Sequence, residues 1–132
     1  MEETGYSVTE VITAAVEIAK TATAGTEAKV ALDIGPVGKM MKPIGLLDFD
    51  QAYDYFREQV MIGVAAGVDL ILIETMSDLA EMRAAVLAAK ENSDLPIFVT
   101  MTFTEDGNTL TGTEPEIMAL SLDALGVDVL GV

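Results

Sequence analysis

Leu70-Ile71-Leu72-Ile73-Glu74-Thr75 decides the fold of this chain: four unbroken aliphatic residues run into a carboxylate and a hydroxyl, with a helix signal directly after. A strand with one face in water would alternate apolar and polar residues. An uninterrupted run instead reads as a strand of a parallel sheet buried on both faces. The pattern recurs on either side. Val30-Ala31-Leu32 runs into Asp33-Ile34-Gly35-Pro36, Ile97-Phe98-Val99 into Thr100-Met101-Thr102, and Val129-Leu130-Gly131-Val132 is a fourth run. Strands are expected over Lys29–Ile34, Asp69–Thr75, Pro96–Phe103 and Asp128–Val132, parallel and adjacent in that order. In β/α architectures the chemistry gathers at the carboxyl ends of the strands, so the polar residues closing each run are the candidate site.

The segments between the runs carry helix signals. Ser7 and Glu10 have capping-box spacing, opening a helix with an inner face of Val8, Val11, Ile12, Ala15, Ile18 and Ala19 that closes near Gly25. Asp48 and Gln51 form a second box, starting a helix through Tyr53, Phe56, Val60 and Val64 that stops at Gly67. Ser77 is the expected cap of a third helix, with Asp78 and Glu81 in its positive first turn and Leu79, Met82, Val86 and Ala89 as the buried stripe. Thr113-Glu114-Pro115-Glu116 combines a third box, capped by Thr113, with a proline in the first turn; Ile117, Leu120, Ser121 and Leu125 follow, and Gly126 ends the helix. No sequence repeat is evident, but the β/α unit recurs, which favours right-handed winding. Two closures fit, a doubly wound sheet or part of an eight-stranded barrel. The first would need a glycine-rich phosphate turn after a strand; Gly35-Pro36-Val37-Gly38 lacks its spacing, and Pro36 removes an amide it would use.

Composition narrows the function. A chain of 132 residues accommodates one domain with a real core. Net charge is −15, with only 7 lysines and arginines, so the electrostatic footprint for nucleic acid is missing. The hydrophobic fraction is 51%, but the longest apolar stretch, Val60 to Ile73, is interrupted by Gly63, Gly67 and Asp69 and is too short to span a bilayer. Met1-Glu2-Glu3 has the wrong charge for a secretory signal, and a cytoplasmic setting is the default expectation. Cys and His are absent, which excludes disulfides, a thiol nucleophile, an imidazole base and any Cys/His zinc site made by these residues alone.

Four separated motifs resemble one family. Val30-Ala31-Leu32-Asp33-Ile34-Gly35-Pro36-Val37-Gly38, Leu72-Ile73-Glu74-Thr75-Met76-Ser77-Asp78, Met101-Thr102-Phe103-Thr104-Glu105-Asp106-Gly107 and Leu110-Thr111-Gly112-Thr113-Glu114-Pro115 together look like the homocysteine S-methyltransferase family. The most similar branch is the amino-terminal homocysteine-binding barrel of cobalamin-dependent methionine synthases. The resemblance runs from about Val11 to Val132 and implies an α/β fold, a partial (β/α)8 TIM barrel holding about strands 3 to 6 with their helices. Residues 1–132 would then form a single partial homocysteine-binding barrel domain, truncated at both ends. Absent in front would be two strands with the turn that receives the substrate carboxylate. Absent behind would be the zinc ligands, an Asn-Cys pair after the sixth strand and a later Cys-Cys pair.

The chemistry implied is zinc-dependent transfer of a methyl group to the homocysteine thiol, forming methionine. A free alkyl thiol has a pKa of about 8.5, and zinc coordination makes it thiolate at neutral pH. The donor would be methylcobalamin on another module of the same longer protein, with cobalamin and folate modules as partners; sister branches use betaine or S-methylmethionine. This piece would be inactive alone. Open strand edges would favour self-association, opposed by the net negative charge.

Residue by residue, the resemblance matches Glu74 to the family glutamate that binds the substrate ammonium group; a structural salt bridge or helix cap is the plainer reading. Asp33 is a pocket wall or polar orienting group, or simply a turn former before Gly-Pro. Thr75, Met101 and Thr102 would line the same mouth, or else serve packing and backbone capping. Thr111 could belong to a closing loop, whereas Thr113 is explained as a cap. Lys39 and Lys42 could touch an acidic partner module, though solvated loop lysines are commoner. Met40, Met41, Met61, Met76, Met82 and Met118 read as core filler. Two other functions remain open: a different β/α-barrel enzyme using Asp33 and Glu74 as a carboxylate pair for acid-base work or a hard metal, and a non-catalytic remnant that binds a small molecule or partner.

Overall fold

The computed structural model describes residues 5–132. Its elements are α1 (Val8–Thr23), β1 (Ala31–Ile34), α2 (Phe49–Ala66), β2 (Leu70–Met76), α3 (Leu79–Asn92), β3 (Ile97–Met101), α4 (Pro115–Ala124) and β4 (Val129–Gly131). The four strands form one sheet in the order β1-β2-β3-β4, every pair parallel. A doubly wound sheet reverses its strand order at a switch point. This one never reverses, so the chain is a run of consecutive β/α units, the arrangement of a partial barrel.

One face of the sheet is fully packed. Leu32, Ile34, Ile71, Ile73, Ile97 and Val99 point to it and are buried against Phe56 and Val60 of α2 and Met82 and Val86 of α3. At Gly63 the α2 backbone comes so close to β1 that a methyl group there would sit 2.6 Å from Leu32 Cδ2. The opposite face carries Ala31, Asp33, Leu72, Glu74, Phe98, Thr100 and Val129, none of which is buried. Burial on both faces, expected from the continuous aliphatic runs, therefore holds on one face only among the described residues. The second apolar face is the one a barrel turns toward its axis.

Several local expectations need correction. Val16, not Val11 or Ile18, is the buried residue of α1, and Ile18 is 71% exposed. In α4 the buried residues are Met118 and Leu122, while Ile117 and Leu120 face out, Leu120 at 70% exposure. Both helices lie at the ends of the run of units: α1 packs chiefly on α2, and α4 chiefly on β4. A 3.6-residue pattern whose apolar face is broad, as in α1, or spread around the helix, as in α4, does not say which part is used. The cap of α3 is Asp78, whose carboxylate accepts the Ala80 amide at 2.7 Å, rather than Ser77. Glu114 occupies the cap position of α4 in place of Thr113, with Pro115 as first helical residue. Met40 and Met61 are exposed, Met61 at 53%, leaving Met41, Met76, Met82 and Met118 in the core.

The amino-terminal end of the sheet holds a repeat that the sequence reading passed over. Gly67-Val68-Asp69 and Gly126-Val127-Asp128 play the same part twice. Each glycine takes a positive φ at the end of its helix, 84° and 71°. Each aspartate clamps the preceding strand: the Val30 amide donates to Asp69 Oδ2 at 2.7 Å, and the Ile97 amide to Asp128 Oδ2 at 2.8 Å. A lysine from the preceding helix then donates to a carbonyl at the helix end, Lys20 to Ala66 at 3.3 Å and Lys90 to Gly126 at 2.8 Å. Cations suit the negative carboxyl ends of helices, and in barrels this rim serves stability.

Candidate functional site

At the opposite rim, where β2 ends, the ladder is interrupted. Ile73 pairs with Val99, but the next pair is Met76 with Met101, so three residues of β2 stand against two of β3. This bulge lies at Glu74-Thr75. Strict alternation would send Glu74 to the inner face and Thr75 to the helix face; the extra residue leaves both off the core and returns Met76 to it. Thr75 sits at φ 57°, in the left-handed region, where a β-branched residue is a genuine outlier costing on the order of 1–3 kcal/mol. Two bonds hold the distortion. The Thr75 amide donates to Thr100 Oγ1 at 3.3 Å, and the Thr102 amide donates to the Met76 carbonyl at 2.8 Å.

Beside the bulge lies an open cleft of about 700 Å³, bordered by Glu74, Thr75, Thr100, Thr102, Phe103 and Val132 among others. Among the described residues Glu74 carries neither an ion pair nor a side-chain hydrogen bond. Met101 touches the same cleft but is 1% exposed and belongs to the core; Thr102 is exposed at its edge. Asp33 does not border this cleft. It pairs with Leu72, two residues before Glu74, which offsets the two residues' backbones by roughly 6–7 Å along the strand direction. Phe103, Gly107 and Pro115 are cleft residues without a role in the sequence reading, as is Thr100, which the sequence placed only among the polar residues closing β3. The signal for Thr100 was available, since two-residue alternation puts it on the inner face with Phe98.

A smaller cavity of about 190 Å³ lies among the three loops that follow β1, β2 and β3, lined by Pro36, Lys39, Asp78, Glu81 and Thr111 among others. Glu81, 5% exposed, accepts the Val37 amide at 2.7 Å and so ties the β1–α2 loop to α3. Burial pushes its carboxyl above the usual range; the Val37 bond opposes that shift and the Asp78 charge adds to it. Thr111 Oγ1 donates to the Ser77 carbonyl at 3.4 Å, bringing the β3–α4 loop to the same place. Of the two loop lysines, Lys42 pairs with Asp48 at 2.7 Å, both well exposed, and Lys39 borders the cavity.

No helix among the described residues is long and apolar enough to cross a membrane. The fold is shared with the apo crystal structure of the homocysteine methyltransferase MmuM from Escherichia coli, with a TM-score of 0.77 and 21% identity, over 96% of this chain and 51% of that one. Methionine synthases from Mycobacterium leprae (strain TN) and Mycobacterium tuberculosis (strain ATCC 25618 / H37Rv) are each 29% identical over 104 residues, which is 75% of this chain. The chain spans only 8% and 9% of the length of those two relatives. A match to the homocysteine S-methyltransferase family extends over residues 1–132. With its run of parallel β/α units and its strand-end cleft, the chain belongs to the homocysteine S-methyltransferase family.

Proposed function

We propose that this chain is a partial barrel domain, residues 1–132, that cradles the amino-acid end of homocysteine while its thiol is methylated to give methionine. The observation that carries the reading is Glu74: a half-buried carboxylate, unpaired among the described residues, bordering a cleft beside the bulge at the carboxyl end of β2. A carboxylate so placed calls for a cation, and the ammonium group of an amino acid supplies one. Thr75 and Thr102 offer hydroxyls beside it, Met101 closes the cleft floor, and Asp33 is a polar wall further down the same face. The alternative carboxylate pair is less well supported, because Asp33 does not border the cleft.

Zinc, when bound in this family, makes the thiol a thiolate. The residues present do not fit such a site: there is no Cys or His, and among the described residues no cluster of three or more possible ligands. The ligands would be supplied by other parts of the protein, as would the methyl donor. Resemblance to the methionine synthase branch favours methylcobalamin on a neighbouring module, with a folate module beyond it, in a cytoplasmic protein. The half-covered inner face supports closure by further β/α units.

Glu74→Gln in the complete barrel tests this. Loss of the ionic partner should weaken homocysteine binding by about 2–4 kcal/mol, roughly 30- to 1,000-fold. Zinc content should not change, because the carboxylate is not a ligand. Unaltered homocysteine affinity by calorimetry, or zinc lost along with affinity, defeats the assignment.

A further inference from the structure

We infer that Thr100 is a positioning residue: its hydroxyl accepts the Thr75 amide and holds the left-handed bulge that brings Thr75 beside Glu74 at the cleft. The inference rests on the reading of the Glu74 cleft given above and names the group that sets Thr75 beside that carboxylate. A β-branched residue leaves the left-handed region unless its surroundings hold it there. Here the hold comes from β3. Beyond residue 75, the Thr102 amide fixes the Met76 carbonyl at 2.8 Å; at residue 75 itself, Thr100 Oγ1 takes the amide at 3.3 Å. Thr75 is thus clamped between two bonds from one neighbouring strand.

The Thr100 side chain is itself oriented. It is half-buried on the inner face and pairs with Gly131, the one glycine of β4. A Cβ on Gly131 would lie 3.6 Å from Thr100 Cγ2, so the methyl branch points toward β4 while the hydroxyl branch points toward β2. With both branches placed, χ1 is settled, and β-branched side chains are stiff about that bond. Valine at this position would keep the shape and lose the acceptor; serine would keep the acceptor and lose the methyl.

Two measurements on Thr100→Val, Thr100→Ser and Thr75→Gly decide the matter. In the ligand-free chain, the Thr75 13Cα and 13Cβ shifts should leave their left-handed values in T100V and keep them in T100S. In homocysteine titrations, T100V should weaken affinity about tenfold and T100S by less than about threefold. On a T75G background, adding T100V should cost less than about threefold, because glycine takes a positive φ without a side-chain penalty. A residue that only filled space would depress affinity equally on both backgrounds, and that result overturns the inference. So do unchanged Thr75 shifts in T100V. If the unmodified protein does not bind homocysteine, the proposed function falls, and the Thr75 shifts still decide the role of Thr100.

Discussion

Gly63→Ala sets helix propensity against packing. Glycine in a helix interior is about 1 kcal/mol worse than alanine, so on propensity alone the change should stabilise. The structure predicts the reverse. The added carbon would lie 2.6, 2.8 and 3.0 Å from Leu32 Cδ2, Cδ1 and Cγ. Carbon contacts are comfortable at about 3.5–4.0 Å, so the pair must separate by close to 1 Å. Rotating Leu32 could clear one methyl, but both δ carbons and the γ carbon are too near, and Leu32 is itself buried in the core under α2. Overpacking of this kind costs about 1–3 kcal/mol. The net expectation is a loss of about 0–2 kcal/mol, seen in thermal melts as a fall of up to about 8 °C. A second background sharpens the test. Leu32→Ala should itself cost about 2–5 kcal/mol, but with that side chain gone Gly63→Ala should change sign and stabilise by up to about 1 kcal/mol. If Gly63→Ala stabilises the chain with Leu32 in place, or destabilises it equally without Leu32, the close approach of α2 to β1 is not what makes residue 63 a glycine.

Glu81→Gln should raise stability at neutral pH and retain the bond to the Val37 amide. Because the folded carboxyl titrates above its unfolded value near 4.5, its contribution is fully present below that value and is lost as pH rises through the folded pKa. Melts from pH 4 to 7 should therefore show a decline that the glutamine variant lacks; parallel profiles would contradict it. Asp128→Ala leaves the Ile97 amide without its carboxylate and should cost about 1–3 kcal/mol, as should Asp69→Ala for the Val30 amide. Amide exchange at Ile97 and Val30 should rise in the respective variants. If each variant melts like the parent, the two clamps do not contribute to stability.

The strands and helices were legible in the sequence because each depends on neighbours within one turn of helix or a few residues of strand, and the parallel pairing followed from their regular β/α alternation. Leu70 to Ile73 reads as a strand from its own short aliphatic run between Gly67 and the next helix signal, and Gly67 ends a helix through its own backbone. Glu74 was legible as a candidate for the same reason, standing as a carboxylate at the end of an aliphatic run. What tertiary structure alone decided are the features joining distant residues. The bulge that brings Thr75 beside Glu74 is held by a hydroxyl 25 residues away, and the burial of Glu81 depends on an amide 44 residues away. Neither separation leaves a periodicity to read. The used faces of α1 and α4 belong to the same class: α1 has one apolar face broader than its neighbour covers, the apolar residues of α4 lie all round, and only the neighbours select among them. Local pattern sets which elements form, because backbone geometry and side-chain alternation act over short spans. The direction in which a strand-end residue finally points is set by contacts that exist only once the strands are side by side.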